Sequence, residues 1–131
     1  MSYADNPSTE QVRAFLTAME ARDLASAERY LATHVVMQFP GAPPMQRLNE
    51  VVEWAKTRYR RVSKTFHAVD QCLYPNHCVV VCHGELAVEW LDGSTSTGVR
   101  FIDRFELTDG LITRQDVWND LALAARTNSR C

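Results

Sequence analysis

A chain of 131 residues can bury roughly two-thirds of its unfolded surface in one core, and 46% hydrophobic with 23% charged residues is an ordinary globular composition. The formal charge of −2 gives no electrostatic pull toward nucleic acid or an anionic membrane surface. No apolar run approaches the ~20 residues of a membrane helix, and the opening Met1-Ser2-Tyr3-Ala4-Asp5-Asn6-Pro7 lacks the basic and apolar parts of a secretory signal. One cytoplasmic domain over 1–131 is the expectation.

In chain order, Ser8-Thr9-Glu10-Gln11 reads as a capping box, with Ser8 as N-cap. Val12, Phe15, Leu16 and Met19 then recur at helical spacing. Asp23 is placed to cap a second short helix with Leu24, Ala27, Tyr30 and Leu31 on its inner side. His34 to Phe39 reads as a strand, stopped by Pro40-Gly41 and Pro43-Pro44. Leu48, Val51, Val52, Ala55, Tyr59 and Val62 predict a third helix, whose end carries Lys56, Arg58, Arg60 and Arg61 as a solvated basic run. Residues 8–62 thus hold the helices and one short strand.

From 63 to 120 the pattern is β. Strands are expected over Thr65–Tyr74, Cys78–Leu91, Ser94–Leu107 and Leu111–Asp120, separated by turns at Pro75-Asn76, Asp92-Gly93 and Asp109-Gly110. Residues 121–131 read as a tail. Helices followed by a meander define an α+β domain with its helices on one face of the sheet.

Cys72, His77, Cys78, Cys82 and His83 look on paper like metal ligands. Cys78 and Cys82, however, share one β-branched strand, and four steps of ~3.3 Å hold them about 13 Å apart. That distance excludes both a shared zinc ion and a disulfide. No metal site is expected, and the cysteines read as reduced thiols. A nucleotide-binding glycine loop and a nucleophile motif are also missing, so no cofactor is expected.

The segment Val99-Arg100-Phe101-Ile102-Asp103-Arg104-Phe105-Glu106-Leu107 alternates as a strand does, and one face reads Val99, Phe101, Asp103, Phe105, Leu107. A carboxylate among four large apolar neighbours loses hydration, so its pKa is expected to rise, by up to ~3–5 units if fully buried. Such a group is either bonded to a hidden donor, for which Tyr30, Tyr59 and Gln115 are candidates, or kept for proton transfer.

The element order, with Asp103-Arg104-Phe105-Glu106-Leu107-Thr108-Asp109-Gly110-Leu111-Ile112-Thr113 and Val117-Trp118-Asn119-Asp120, resembles the SnoaL-like branch of the nuclear transport factor two-like superfamily. The resemblance runs from about Ser8 to Asp120. It implies a cone-like domain: a curved antiparallel (mixed) sheet wrapped around three N-terminal helices, leaving one deep pocket. It also implies a homodimer and a small apolar organic ligand, with no nucleic acid or membrane partner. Against ketosteroid isomerases, Asp103 matches the protonated acid that faces a developing oxyanion. Phe15 stands in place of the partner Tyr, and Phe39 in place of the general-base Asp. Against limonene epoxide hydrolases, the Arg and catalytic Asp fall on His83 and Glu85, or on Gly84 and Leu86 in the other register, and the second Asp falls on Val117.

The candidate catalytic set is therefore Asp103, with His83, Glu85 or His67 as base. Candidate substrate contacts are Asn119, Gln115, Val117, Phe101, Phe15, Phe39, Trp54 and Tyr59. A bulge near Gly84 is expected to reconcile the two registers. The expected activity is that of a cofactor-free isomerase, cyclase, dehydratase or epoxide hydrolase, and the alternative is a non-catalytic binding or dimerisation module.

Overall fold

The computed structural model describes residues 7–129, with side chains over 8–125. In chain order it contains α1 (Pro7–Glu20), α2 (Leu24–Glu28), β1 (Leu31–Gln38), α3 (Leu48–Lys56), β2 (Arg61–Leu73), β3 (Cys78–Glu89), β4 (Thr95–Thr108), β5 (Leu111–Asn119) and α4 (Leu121–Ser129). The five strands form one sheet in the order β1-β5-β4-β3-β2. β1 runs parallel to β5 and the other pairs are antiparallel, so the sheet is mixed and its edges do not close.

Register shifts interrupt every strand pair, and such irregularities bend strands and raise local twist. The inner face of the curved sheet meets Val12, Phe15 and Leu16 of α1 and Leu48 and Val51 of α3 in one core. Phe15 packs edge-on against Phe105 at 6.1 Å between ring centroids. The β4–β5 hairpin turns on Asp109 (φ 51°) and Gly110 (φ 78°), the two positive φ angles that a two-residue turn of this hand requires. Gln11 Nε2 donates to the Gly110 carbonyl (2.8 Å), tying the start of α1 to that hairpin.

The bulge forms on β2, opposite Gly84. Phe66 pairs with Gly84 and Ala68 with His83, leaving His67 as the extra residue. A Cβ on Gly84 would lie 1.9 Å from the Thr65 carbonyl oxygen, so only glycine lets the bulged backbone come this close. The bulge also flips the strand's parity. Before it the inward residues are Val62, Lys64 and Phe66; after it they are Val69 and Gln71.

Three sequence expectations change. Ser8 lies inside α1, which begins at Pro7, and the preceding residue is outside the described residues. α3 stops at Lys56, where Thr57 Oγ1 donates to the Trp54 carbonyl (2.7 Å), and the chain is extended again from Arg61. The basic run therefore divides: Arg58 stacks over Trp54 (4.8 Å), and Arg60, just before β2, pairs with Glu89 at the end of β3. Residues 121–129 form α4 in place of a tail, since Leu121-Ala122-Leu123-Ala124-Ala125 has high helix propensity and Leu121, Ala124 and Ala125 pack on the core.

Candidate functional site

Asp103 projects from the centre of β4 into the inner face and is 1% exposed. Its cross-strand neighbours are Cys82 on β3 and Val117 on β5. Neither carboxyl oxygen has a partner within hydrogen-bond geometry, and of the donors suggested by the sequence only Gln115 comes near enough to favour the ionised form slightly. The charged group beside it is Lys64 of β2, whose Nζ stands 3.9 Å from Asp103 Oδ2. Lys64 also lies 5.3 Å from the centre of the Phe101 ring. Glu20 of α1 accepts the Lys64 backbone N–H (3.0 Å), fixing this part of β2 against the helix.

Two opposing terms set the protonation of Asp103. At 3.9 Å and an effective dielectric near 20, the attraction of Lys64 is about 4 kcal/mol. Removing two ions from water costs several kcal/mol each. Desolvation wins, and the Asp103 carboxyl is held above the usual carboxylate range, with Lys64 and then Gln115 opposing the rise without cancelling it. Burial likewise pushes the Cys82 thiol up to about 12, with the neighbouring Asp103 charge adding to the effect.

On the helix side, a cavity of about 70 Å³ opens beside this pair. Lys64 and Gln115 supply polar groups, Leu16, Met19, Phe39, Val51, Ala55, Tyr59 and Val62 the apolar wall, and Glu20 and Arg22 the charged end of α1. Asp103 sits behind Lys64 and does not itself line this space. Of the residues named from sequence, Gln115, Phe39 and Tyr59 meet here. Phe15 is core, and Trp54 packs behind Phe39 at 5.3 Å between ring centroids. Phe101 is buried beneath Lys64.

The other three candidate bases lie elsewhere. His67, His83 and Glu85 occupy the outer face, separated from Asp103 by the sheet. His67 and Glu85 meet at 3.1 Å, and the His67 and His83 rings stand edge to face at 6.0 Å. They border an open groove of about 910 Å³ that crosses the strands near Arg100, Ile102, Asp116 and Trp118. Val117, Phe101 and Asn119 also border that groove. The Asn119 Oδ1 accepts the Leu121 N–H (3.1 Å) at the start of α4, a local structural bond. Ile102 is 46% and Trp118 55% exposed, while Arg100–Asp120 (2.8 Å), Arg104–Glu106 (2.6 Å) and Arg114–Asp116 (2.9 Å) balance charge across the same face. Among the described residues, no group of three His, Cys, Asp or Glu side chains could hold a metal ion.

Lys64, Glu20 and Arg22 were not legible as site residues. Lys64 does carry a signal, because Val62-Ser63-Lys64-Thr65-Phe66 alternates and places a cation between two apolar residues. The third helix, extended on sequence to Val62, hides that alternation.

A curved mixed sheet that cups helices and shelters one buried acid beside a small cavity defines the class of cone-like pocket domains. The model of the SnoaL-like domain family matches residues 12–115, and the chain belongs to that family. Solved structures agree in fold. TerC co-crystallised with polyporic acid is 17% identical, with a TM-score of 0.75, over 92% of this chain and 97% of that one. An NTF2-like protein from Burkholderia pseudomallei is 19% identical (TM-score 0.74; 96% and 97% covered). A protein provisionally described as a ketosteroid isomerase, from Shewanella frigidimarina, is 16% identical (TM-score 0.71; 88% and 98% covered). No curated protein sequence matches the chain.

Proposed function

We propose that this protein is a small-molecule pocket protein working as a cofactor-free acid/base catalyst of the isomerase, cyclase, dehydratase or epoxide-opening kind. The observation that carries the reading is the Asp103 carboxyl, fully buried among apolar residues with no hydrogen-bond partner. A carboxyl whose burial raises its pKa can hold a proton for transfer to a substrate oxygen and take it back later. Since Asp103 stands behind Lys64 and does not line the cavity, that transfer requires the Lys64 side chain to move aside. Gln115 orients that oxygen, and Phe39 and Tyr59 form part of the apolar wall. His67, His83 and Glu85 lie on the other face and cannot serve as the base here, so the proton traffic at this site runs through Asp103 itself.

The substrate is a mostly apolar molecule bearing a carbonyl, hydroxyl or epoxide oxygen. Likeness to TerC, whose structure contains polyporic acid, and to the Shewanella frigidimarina protein supports this class without fixing the substrate. Carbon NMR titration of the Asp103 carboxyl, assigned against Asp103→Asn, tests the reading. A pKa well above ~3.9 supports it, and an ordinary or depressed value removes it.

A second reading, a module that binds or dimerises without catalysis, is favoured by the outer groove with its exposed Ile102 and Trp118. Oppositely charged residues share this face, as a self-complementary two-fold interface requires. We assign the groove to homodimer formation under both readings; a monomer by light scattering, or a dimer untouched by Trp118→Asp, would remove it. The cytoplasm is the proposed location, because the three described cysteines are free thiols and suit a reducing compartment.

A further inference from the structure

Lys64 attracts Asp103 and the Phe101 ring through its charge, but its N–H donors are not taken up by either. Among the described residues no acceptor lies within hydrogen-bond distance of its ammonium, and the Asp103 oxygen at 3.9 Å is too far to take a proton from it directly. Three N–H donors therefore remain, at a position 25% exposed and on the wall of the helix-side cavity. Gln115, 4% exposed, reaches the same cavity from β5 with a side-chain amide.

We propose that Lys64 and Gln115 form an anion seat at the polar end of this cavity, which takes the carboxylate or enolate oxygen of a small, otherwise apolar ligand. The inference rests on the pocket reading above and narrows its substrate class from neutral oxygen to anionic oxygen. Size fits the class. A volume of 70 Å³ holds on the order of five small heavy atoms, enough for the acid end of a small ligand.

Charge fits as well. The groups that face the pair are Arg13 and Glu20 from α1, Cys82 from β3 and Gln115 from β5. Cys82 is a neutral thiol and the Glu20 carboxylate is engaged by the Lys64 backbone N–H, so Asp103 is the carboxylate that pairs with the Lys64 ammonium and competes with a ligand anion for it. When Asp103 is protonated the ammonium is free to bind an anion. When Asp103 is ionised it already neutralises Lys64, and an arriving anion meets a buried like charge. Binding of the anion is thus linked to uptake of one proton by Asp103.

The test follows NMR shifts of the Lys64 and Gln115 side chains while wild-type protein is titrated with butyrate, and separately with its neutral isostere butyramide. Butyrate is expected to bind about tenfold more tightly, since hydrogen bonds to a charged acceptor are roughly twice as strong as neutral ones. That preference should shrink as pH rises and Asp103 ionises, while butyramide binding stays level. In Lys64→Met the preference should vanish and butyramide binding remain. Equal binding of the two probes, a preference indifferent to pH, or one that survives in Lys64→Met would overturn the seat and leave the pocket reading standing. Shifts with neither probe would overturn both. The wild-type arms decide the matter even if Lys64→Met does not fold.

Discussion

On the outer face of the sheet His67 and Glu85 meet at 3.1 Å with about half of each side chain in water; on the inner face Lys64 and Asp103 stand 3.9 Å apart with the acid sealed off. The shorter contact is the weaker one. Water screens the outer pair and rehydrates either partner if the other is lost, so exposed pairs contribute little. Inside, the same kind of pairing leaves a carboxyl whose ionisation is opposed by its surroundings. What separates the two pairs is solvent, and strand parity decides which side chains meet it.

Gly84 is the hinge of that separation, and replacing it should have the largest effect. It admits the β2 bulge that keeps Lys64 inside and puts His67 outside. Gly84→Ala places a methyl 1.9 Å from the Thr65 carbonyl, and backbone must move to relieve it. A loss of about 3 kcal/mol or more is expected from urea denaturation, or failure to fold. Loss of less than about 1 kcal/mol would show that the bulge can be rearranged cheaply and that parity is not fixed there.

Next in size is Lys64→Met, which removes the attraction that partly offsets Asp103 desolvation. At a pH above the folded pKa of Asp103 a loss of roughly 1–3 kcal/mol is expected, below the figure for a fully buried pair because Lys64 is part exposed. At pH 4 the loss should largely disappear, because a protonated Asp103 has no charge to stabilise. Urea midpoints at the two pH values check this, and an equal loss at both would mean that Lys64 acts through packing of its stem on Phe101.

Asp103 itself gives a pH trend of known sign. Its folded pKa lies above its unfolded one, so the native state binds the proton more tightly. The stability this contributes is full below the unfolded pKa near 4 and is lost as pH rises through the folded pKa. Relative to Asp103→Asn, wild type should therefore fall by about 1.4 kcal/mol per pH unit across that window and level off above it. A gap that narrows with rising pH would mean a depressed pKa and a structural carboxylate.

Much of this was legible in the sequence. Five strands are long or strictly patterned, and Asp103 among Val99, Phe101, Phe105 and Leu107 announces its own burial through period two. His83 and Glu85 follow the unbroken alternation of β3, opposite Cys82, Leu86 and Val88, whereas the face of His67 could not be read, because one bulged residue reverses parity on β2 and leaves no mark in composition. Lys64 was hidden for a related reason: apolar residues at 48, 51, 52, 55, 59 and 62 continue a helical stripe across a real boundary, and only Thr57 capping and the return of alternation at Arg61 end it. Local propensity places elements, but the partner strand sets their register.

The outer pair provides the smallest effect and the control for all the others. His67→Ala removes a 3.1 Å contact between half-exposed groups, and less than about 1 kcal/mol should be lost at low protein concentration. Glu85→Gln should match it, and the double variant should lose no more than the sum, since solvent leaves little coupling to recover. Added salt should erase most of what remains, whereas the Lys64–Asp103 effect should persist because salt does not reach it. Measured at rising protein concentration, the same variants ask a different question. If two copies pair through this groove, His67 and Glu85 lose their water, and the cost of breaking them should grow with the dimer fraction. A cost independent of concentration would leave the outer face as a solvated surface and the inner one as the face on which this fold depends.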